Sequence, residues 1–149
     1  MGPMNDPASV RAGCWLVLYD ADCGVCNVLM SLLLRWDRAA LLRPLALQHA
    51  DAGDLLAELT VAERMASWHL ISPSGRRRSG GDALPALLAL LPLGRAPAVL
   101  LERFPALADS GYRYVAGHRS GLSRWLPAGV KRRARASVLG RERDVRRGR

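Results

Sequence analysis

The chain has 149 residues, a length that favours one domain with a core large enough to bury most of its apolar surface. Half of the residues are hydrophobic and 23% are charged, which excludes an intrinsically disordered or fibrous chain. Net charge is +9 but unevenly placed: residues 1–109 carry 10 Arg against 11 Asp and Glu, whereas residues 110–149 carry 12 Lys and Arg against 2 acidic residues.

The opening Met-Gly-Pro-Met-Asn-Asp-Pro has no basic region followed by an apolar stretch, so it does not read as a signal peptide. Residues 1–13 are expected to be disordered. Cys14-Trp-Leu-Val-Leu-Tyr19 is a short apolar run rich in strand formers and ended by Asp20-Ala-Asp22, and it reads as a buried strand. From Cys23 the pattern changes: Val25, Val28, Leu29, Leu32, Leu33 and Trp36 fall at helical spacing, which predicts a helix over 23–37. Arg43–Gln48 is a second strand, with Pro44 placing it at a strand start or a sheet edge. A short helix over 51–59, capped by Asp51, follows. Ser67–Ser72 and Arg76–Ser79, joined by the turn Pro73-Ser-Gly75, predict a hairpin. Asp82 then caps a helix whose Leu84, Leu87, Leu88 and Leu91 form one stripe. Two further helices are expected over 96–108 and 111–126.

No apolar stretch reaches the roughly 20 residues that cross a bilayer, so a soluble, cytoplasmic, monomeric protein with no bound cofactor is expected. The segment 128–149 is dominated by arginine with few apolar residues, and it reads as a mobile basic tail. Such a tail binds polyanions weakly and in a salt-dependent way. Without interleaved aromatics or a nucleic-acid motif, a solvated tail is preferred over a nucleic-acid interface. The resulting order, β-α-β-α-β-β-α plus helices, is that of a thioredoxin-like α/β sandwich whose first two strands are parallel and whose last hairpin is antiparallel. The folded domain is expected to span 14–127.

Chemistry concentrates at Asp20-Ala-Asp22-Cys23-Gly-Val-Cys26. Side chains at i and i+3 of a helical turn lie about 5–6 Å apart, within the separation that a disulfide spans. The pair can therefore open and close with little backbone movement. At a helix N-terminus the first sulfur faces unpaired N–H groups and the positive end of the dipole, which favour thiolate. Cys23 is thus the expected nucleophile and Cys26 the resolving thiol. The carboxylates Asp20 and Asp22 oppose ionisation of Cys23. Asp22 is the expected N-cap by position; Asp20 either accepts a proton from Cys26 or forms the turn through an Asx hydrogen bond. Redox use is preferred over zinc, because His49, His69 and His118 lack ligand spacing and Cys14 reads as a core residue.

These residues resemble the motif of the DCC-type thiol-disulfide oxidoreductases, Asp-x-x-Cys-x-x-Cys after a short hydrophobic strand. Three further stretches continue the resemblance: Pro44–Gln48, Gly81-Asp82-Ala83, and Tyr112-Arg113 with Val115-Ala116 and Arg119. The resemblance implies a thioredoxin-like fold and disulfide oxidoreductase activity, with Asp20, Cys23 and Cys26 as the redox site. Tyr112, Arg113 and Arg119 match a family motif, with Arg119 open to steadying a thiolate, holding a substrate carboxylate, or packing at the surface. Thioredoxin-like proteins usually carry a cis-proline before the third strand; that position falls near Ser67, and no proline lies between Pro44 and Pro73. Protein or small-molecule thiols and disulfides are the expected partners. The alternative function is a non-catalytic redox sensor or protein-binding module whose basic tail docks an acidic partner.

Overall fold

In the computed structural model, residues 13–147 are described. The expectation for the N-terminal residues 1–12 lies outside them. The run Trp-Leu-Val-Leu-Tyr forms β1 (Trp15–Tyr19), which is central in a four-stranded sheet with β2 (Leu42–Ala46), β3 (His69–Ile71) and β4 (Arg77–Ser79), in the order β2-β1-β3-β4. The β1–β2 pair is parallel, while β1–β3 and β3–β4 are antiparallel. A strand covered on both faces needs apolar residues at consecutive positions, which is why β1 shows no polar alternation. At the two edges the sheet carries Pro44 and the pair Arg77-Arg78, residues that discourage further strand pairing.

Alternation along β1 splits the core in two. Val17 and Tyr19 face a layer built from α1 (Gly24–Trp36) and α4 (Leu84–Ala89), joined by Met30, Leu42, Leu70 and Leu87. Leu18 faces the opposite side, packing with Leu45, Leu47, Ala52, Leu56 and Ile71 under α2 (Ala50–Leu55) and α3 (Val61–Ala66). Val17, Leu18, Leu42 and Leu70 are wholly buried, each contributing about 1.5–3 kcal/mol relative to exposure. The result is the thioredoxin-like α/β arrangement that the order of elements implied.

Local signals were partly displaced. α2 is capped by the His49 ring, which accepts from the Asp51 N–H at 3.1 Å, rather than by Asp51. α3 was not anticipated; Thr60 and Glu63 cap it reciprocally, a capping box that the sequence Thr-x-x-Glu carries. Asp82 caps nothing: it lies exposed in a 3-10 turn over Gly80–Ala83, and α4 follows with no side-chain cap. The later helices break at Phe104, giving α5 (Arg95–Arg103) and α6 (Pro105–Trp125), because Pro105 lacks the N–H that would continue α5 and takes the first turn of α6 instead.

The largest correction concerns the basic segment. Residues expected to form a disordered tail form α7 (Ala128–Arg146), packed against α1 and β2. Ala134, Val138 and Glu142, one helical turn apart, are buried, and Val138 joins the core beside α1. A narrow stripe of small side chains suffices because arginine stems can cover apolar surface while their heads stay in water. The premise of a mobile arm that docks an acidic partner therefore does not hold over 128–146. No helix among the described residues is long and apolar enough to cross a membrane.

α6 packs closely on the 3-10 turn at Gly81. A Cβ on Gly81 would stand 2.7 Å from the Cα of Asp109, so only glycine lets the 3-10 turn touch that helix. We expect Gly81→Ala to push α6 outward and to destabilise the fold by about 1–3 kcal/mol, read by urea denaturation. For α7, Val138→Asp is expected to cost more than about 3 kcal/mol, whereas Ser137→Asp, at an exposed neighbouring position, stays within about 0.5 kcal/mol. Equal and negligible effects at both positions would mean that α7 does not pack.

Candidate active site

The site is assembled on the loop from β1 to α1. Cys23 leaves the loop with extended backbone angles, and its sulfur accepts from the Cys26 N–H at 3.4 Å, so the cysteine itself is the N-cap of α1. This corrects the assignment of the cap to Asp22, whose exposed carboxylate instead accepts from Gln48 at 3.3 Å and lies 3.9 Å from Arg135 of α7. Buried Asn27 fastens the loop, donating to the carbonyls of Ala21 at 2.8 Å and Cys23 at 2.9 Å. Gln48, just past β2, fastens it from the other side: it donates to Asp20 Oδ1 at 2.7 Å and accepts from the Ala21 N–H at 3.2 Å. Asp20 Oδ1 also accepts from the Asp22 N–H at 3.0 Å, the Asx turn offered as its structural role.

Both cysteines carry free thiols, and their titrations are driven apart. The Cys26 thiol donates to the Cys23 sulfur, and that bond is the main reason that Cys23 falls from 9.0 to about 6. Partial burial works against it; the Cys26 N–H adds to it; the Asp20 charge opposes and the Arg119 charge assists. Cys26 moves strongly upward, because its proton is held by the Cys23 sulfur and because it is more deeply buried. The principal stabilising agent is thus a specific partner on the first turn of α1.

Tyr112 and Arg119 of α6, seven residues apart on one helix face, both reach this region. The Tyr112 hydroxyl bonds the Trp68 backbone and the Ser67 side chain at the entry to β3, and burial raises its pKa. Arg113 does not join them: it points to solvent and pairs with Asp109 at 2.6 Å. Cys14 is buried at the opposite end of β1. The histidines are scattered. His49 caps α2, His69 is held between Ser79 at 2.7 Å and the Arg64 carbonyl at 3.0 Å, and His118 donates to the Tyr114 carbonyl at 2.7 Å. Among the described residues no group of three or more His, Cys, Asp and Glu side chains is placed to hold a metal ion.

Sequence reasoning missed the parts played by Asn27, Gln48, Ser67 and Trp68. Gln48 lay in a recognised stretch, but its reach back to Asp20 depends on the parallel pairing of β1 with β2, which brings Ala46 beside Tyr19. The place of Lys131 of α7, the only lysine, was missed too: its stem lies against Gly24, and its ammonium donates to the Ser123 carbonyl at 3.0 Å.

Neither a curated protein nor a solved structure matches the chain. The sequence model of the DCC1-like thiol-disulfide oxidoreductases matches residues 17–125, which covers the last three residues of β1, the cysteine pair, the other three strands and α6. With nearly three quarters of its length in that match, the chain belongs to the DCC1-like thiol-disulfide oxidoreductase family.

Proposed function

We propose that the protein exchanges dithiol for disulfide through Cys23 and Cys26. The observation that carries this reading is that the Cys26 N–H meets the Cys23 sulfur at 3.4 Å on the first turn of α1, so that the two thiols share a single helical turn with Cys23 driven toward thiolate and Cys26 held protonated. The Cys23 thiolate attacks a substrate disulfide, forming a mixed disulfide and releasing one substrate thiolate. Cys26 then loses its proton and attacks the Cys23 sulfur. The intramolecular disulfide forms and the second substrate sulfur leaves, so the substrate gains two electrons and the pair loses two.

Asp20 is the carboxylate whose charge acts on both sulfurs. Held by Gln48 and the Asp22 amide, it serves in this scheme as the base that receives the Cys26 proton in the second step. Arg119 offsets that negative charge and favours the thiolate. Asp22, Tyr112 and Arg113 transfer no proton in this scheme.

Cys23→Ser is expected to abolish exchange, and Cys26→Ser to accumulate a mixed disulfide that mass spectrometry detects; full exchange by Cys23→Ser would sink the reading. The rate of Cys23 alkylation in the reduced protein should rise with pH around a midpoint near 6, since the reactive form is the deprotonated one. Asp20→Asn moves that midpoint lower, because a raising charge is removed, while slowing the step that consumes the mixed disulfide. Titration also couples to stability. The folded pKa lies below the unfolded value of 9.0, so ionisation stabilises the reduced protein fully above about pH 9, and this contribution is lost as pH falls through about 6. Urea unfolding of the reduced protein against Cys23→Ser at pH 5 and pH 8 reads the difference, which should be larger at pH 8.

A further inference from the structure

The main-chain groups of Trp68, at the entry to β3, are already taken. β3 runs antiparallel to β1 with Leu18 opposite His69, so Trp68 lies next to the end of β1 from which the cysteine loop departs. An extended substrate is commonly held by main-chain hydrogen bonds to a free strand edge or end. At Trp68 these groups are taken: the carbonyl accepts from the Gly80 N–H at 3.1 Å, and the amide is bonded to the Tyr112 hydroxyl. The Tyr112 ring is fixed there by Gly80, where a Cβ would meet ring carbon Cε1 at 3.0 Å and where the backbone turns through a φ of +56°.

Two helical turns further along α6 stands Arg119, half-buried, with its charge acting on Cys23, Cys26 and Tyr112. Among the described residues no carboxylate lies within ion-pair distance of it, whereas Arg135, beside the same loop, has Asp22 at 3.9 Å. A partly desolvated cation at a redox pair is matched by an anionic group on the substrate.

We propose that the site takes a small thiol or disulfide bearing a carboxylate, which Arg119 holds, while Tyr112 turns away extended polypeptides by occupying the Trp68 amide. This substrate class rests on the dithiol exchange proposed above. In the reducing half-reaction Cys23 bonds to one sulfur of the small disulfide and its partner thiolate departs; Cys26 then displaces the second, yielding two small thiols and the Cys23–Cys26 disulfide.

The test follows oxidation of the reduced full-length protein by three disulfides: glutathione disulfide, cationic cystamine, and a linear peptide disulfide with neutral side chains and blocked ends. Each rate is divided by that of the same disulfide with a free thiol in solution. Glutathione disulfide should lead cystamine by about tenfold or more, the scale of one hydrogen bond to a charged group. That lead should collapse in Arg119→Gln and survive in part in Arg119→Lys. Tyr112→Phe, which keeps the ring on Gly80 but frees the Trp68 amide, should raise the peptide rate relative to glutathione disulfide by about two- to tenfold. A lead that is absent in the natural protein, or that persists undiminished in Arg119→Gln, overturns the role of Arg119. A peptide rate that already equals that of glutathione disulfide, or that Tyr112→Phe leaves unchanged, overturns the role of Tyr112. No reaction with any of the three overturns the exchange reading itself, and the substrate class with it.

Discussion

The hydrogen bonds from Cys26 to the Cys23 sulfur set the terms for everything around them. A sulfur in the N-cap position meets a backbone N–H that would otherwise lack a partner, so the same contact that starts α1 also selects which cysteine ionises. That arrangement works only while the preceding loop cannot drift. Three of its residues are therefore tied down from outside their own segment: Ala21 and Cys23 by Asn27, and Asp20 by Gln48. The sheet supplies the frame, because β1 is buried on both faces and delivers the loop at a fixed point. Asp20 acts against this preparation electrostatically while serving it geometrically. Its charge raises both sulfurs, and its Oδ1 closes the turn that presents them.

Much of this was legible from residue order. The unbroken apolar run Trp15–Tyr19 read as a buried strand, Pro44 pointed to a strand start or a sheet edge and stands in an edge strand, and a cysteine pair at the junction of strand and helix carries its own geometry. What was not legible depends on long-range placement. Asp22 looked like the cap because Asp is the commoner capping residue, yet the backbone becomes helical one residue later and the cap falls to Cys23. Gln48 and Tyr112 lie in stretches that the family resemblance marks, but they act on the site from positions distant in sequence, and their partners, Asp20 and Trp68, become visible only in the fold. α7 escaped because its buried stripe is made of Ala134, Val138 and Glu142, and a period carried by an alanine, a valine and a carboxylate is lost among arginines.

Such a stripe changes the meaning of the charge. The excess of basic residues read as an arm that reaches outward, whereas most of the segment is a helix with one face committed to α1 and β2. The family match ends at Trp125, before α7 begins, so this helix adds a wall to a fold that the family pattern describes without it. Through Arg135 near Asp22 and Lys131 against Gly24, that wall touches both ends of the segment bearing Cys23.

Lys131 is the only lysine among 22 basic residues. Arginine guanidinium groups do not react with amine-directed reagents under mild conditions, so the chain offers such chemistry a single side-chain address. That address is the ammonium which ties α7 to the Ser123 carbonyl near the end of α6 and whose stem covers the residue next to Cys23. Acylation there would remove a charge and two of three donors, placing the covalent mark, and any probe it carries, at the foot of the thiol-bearing helix.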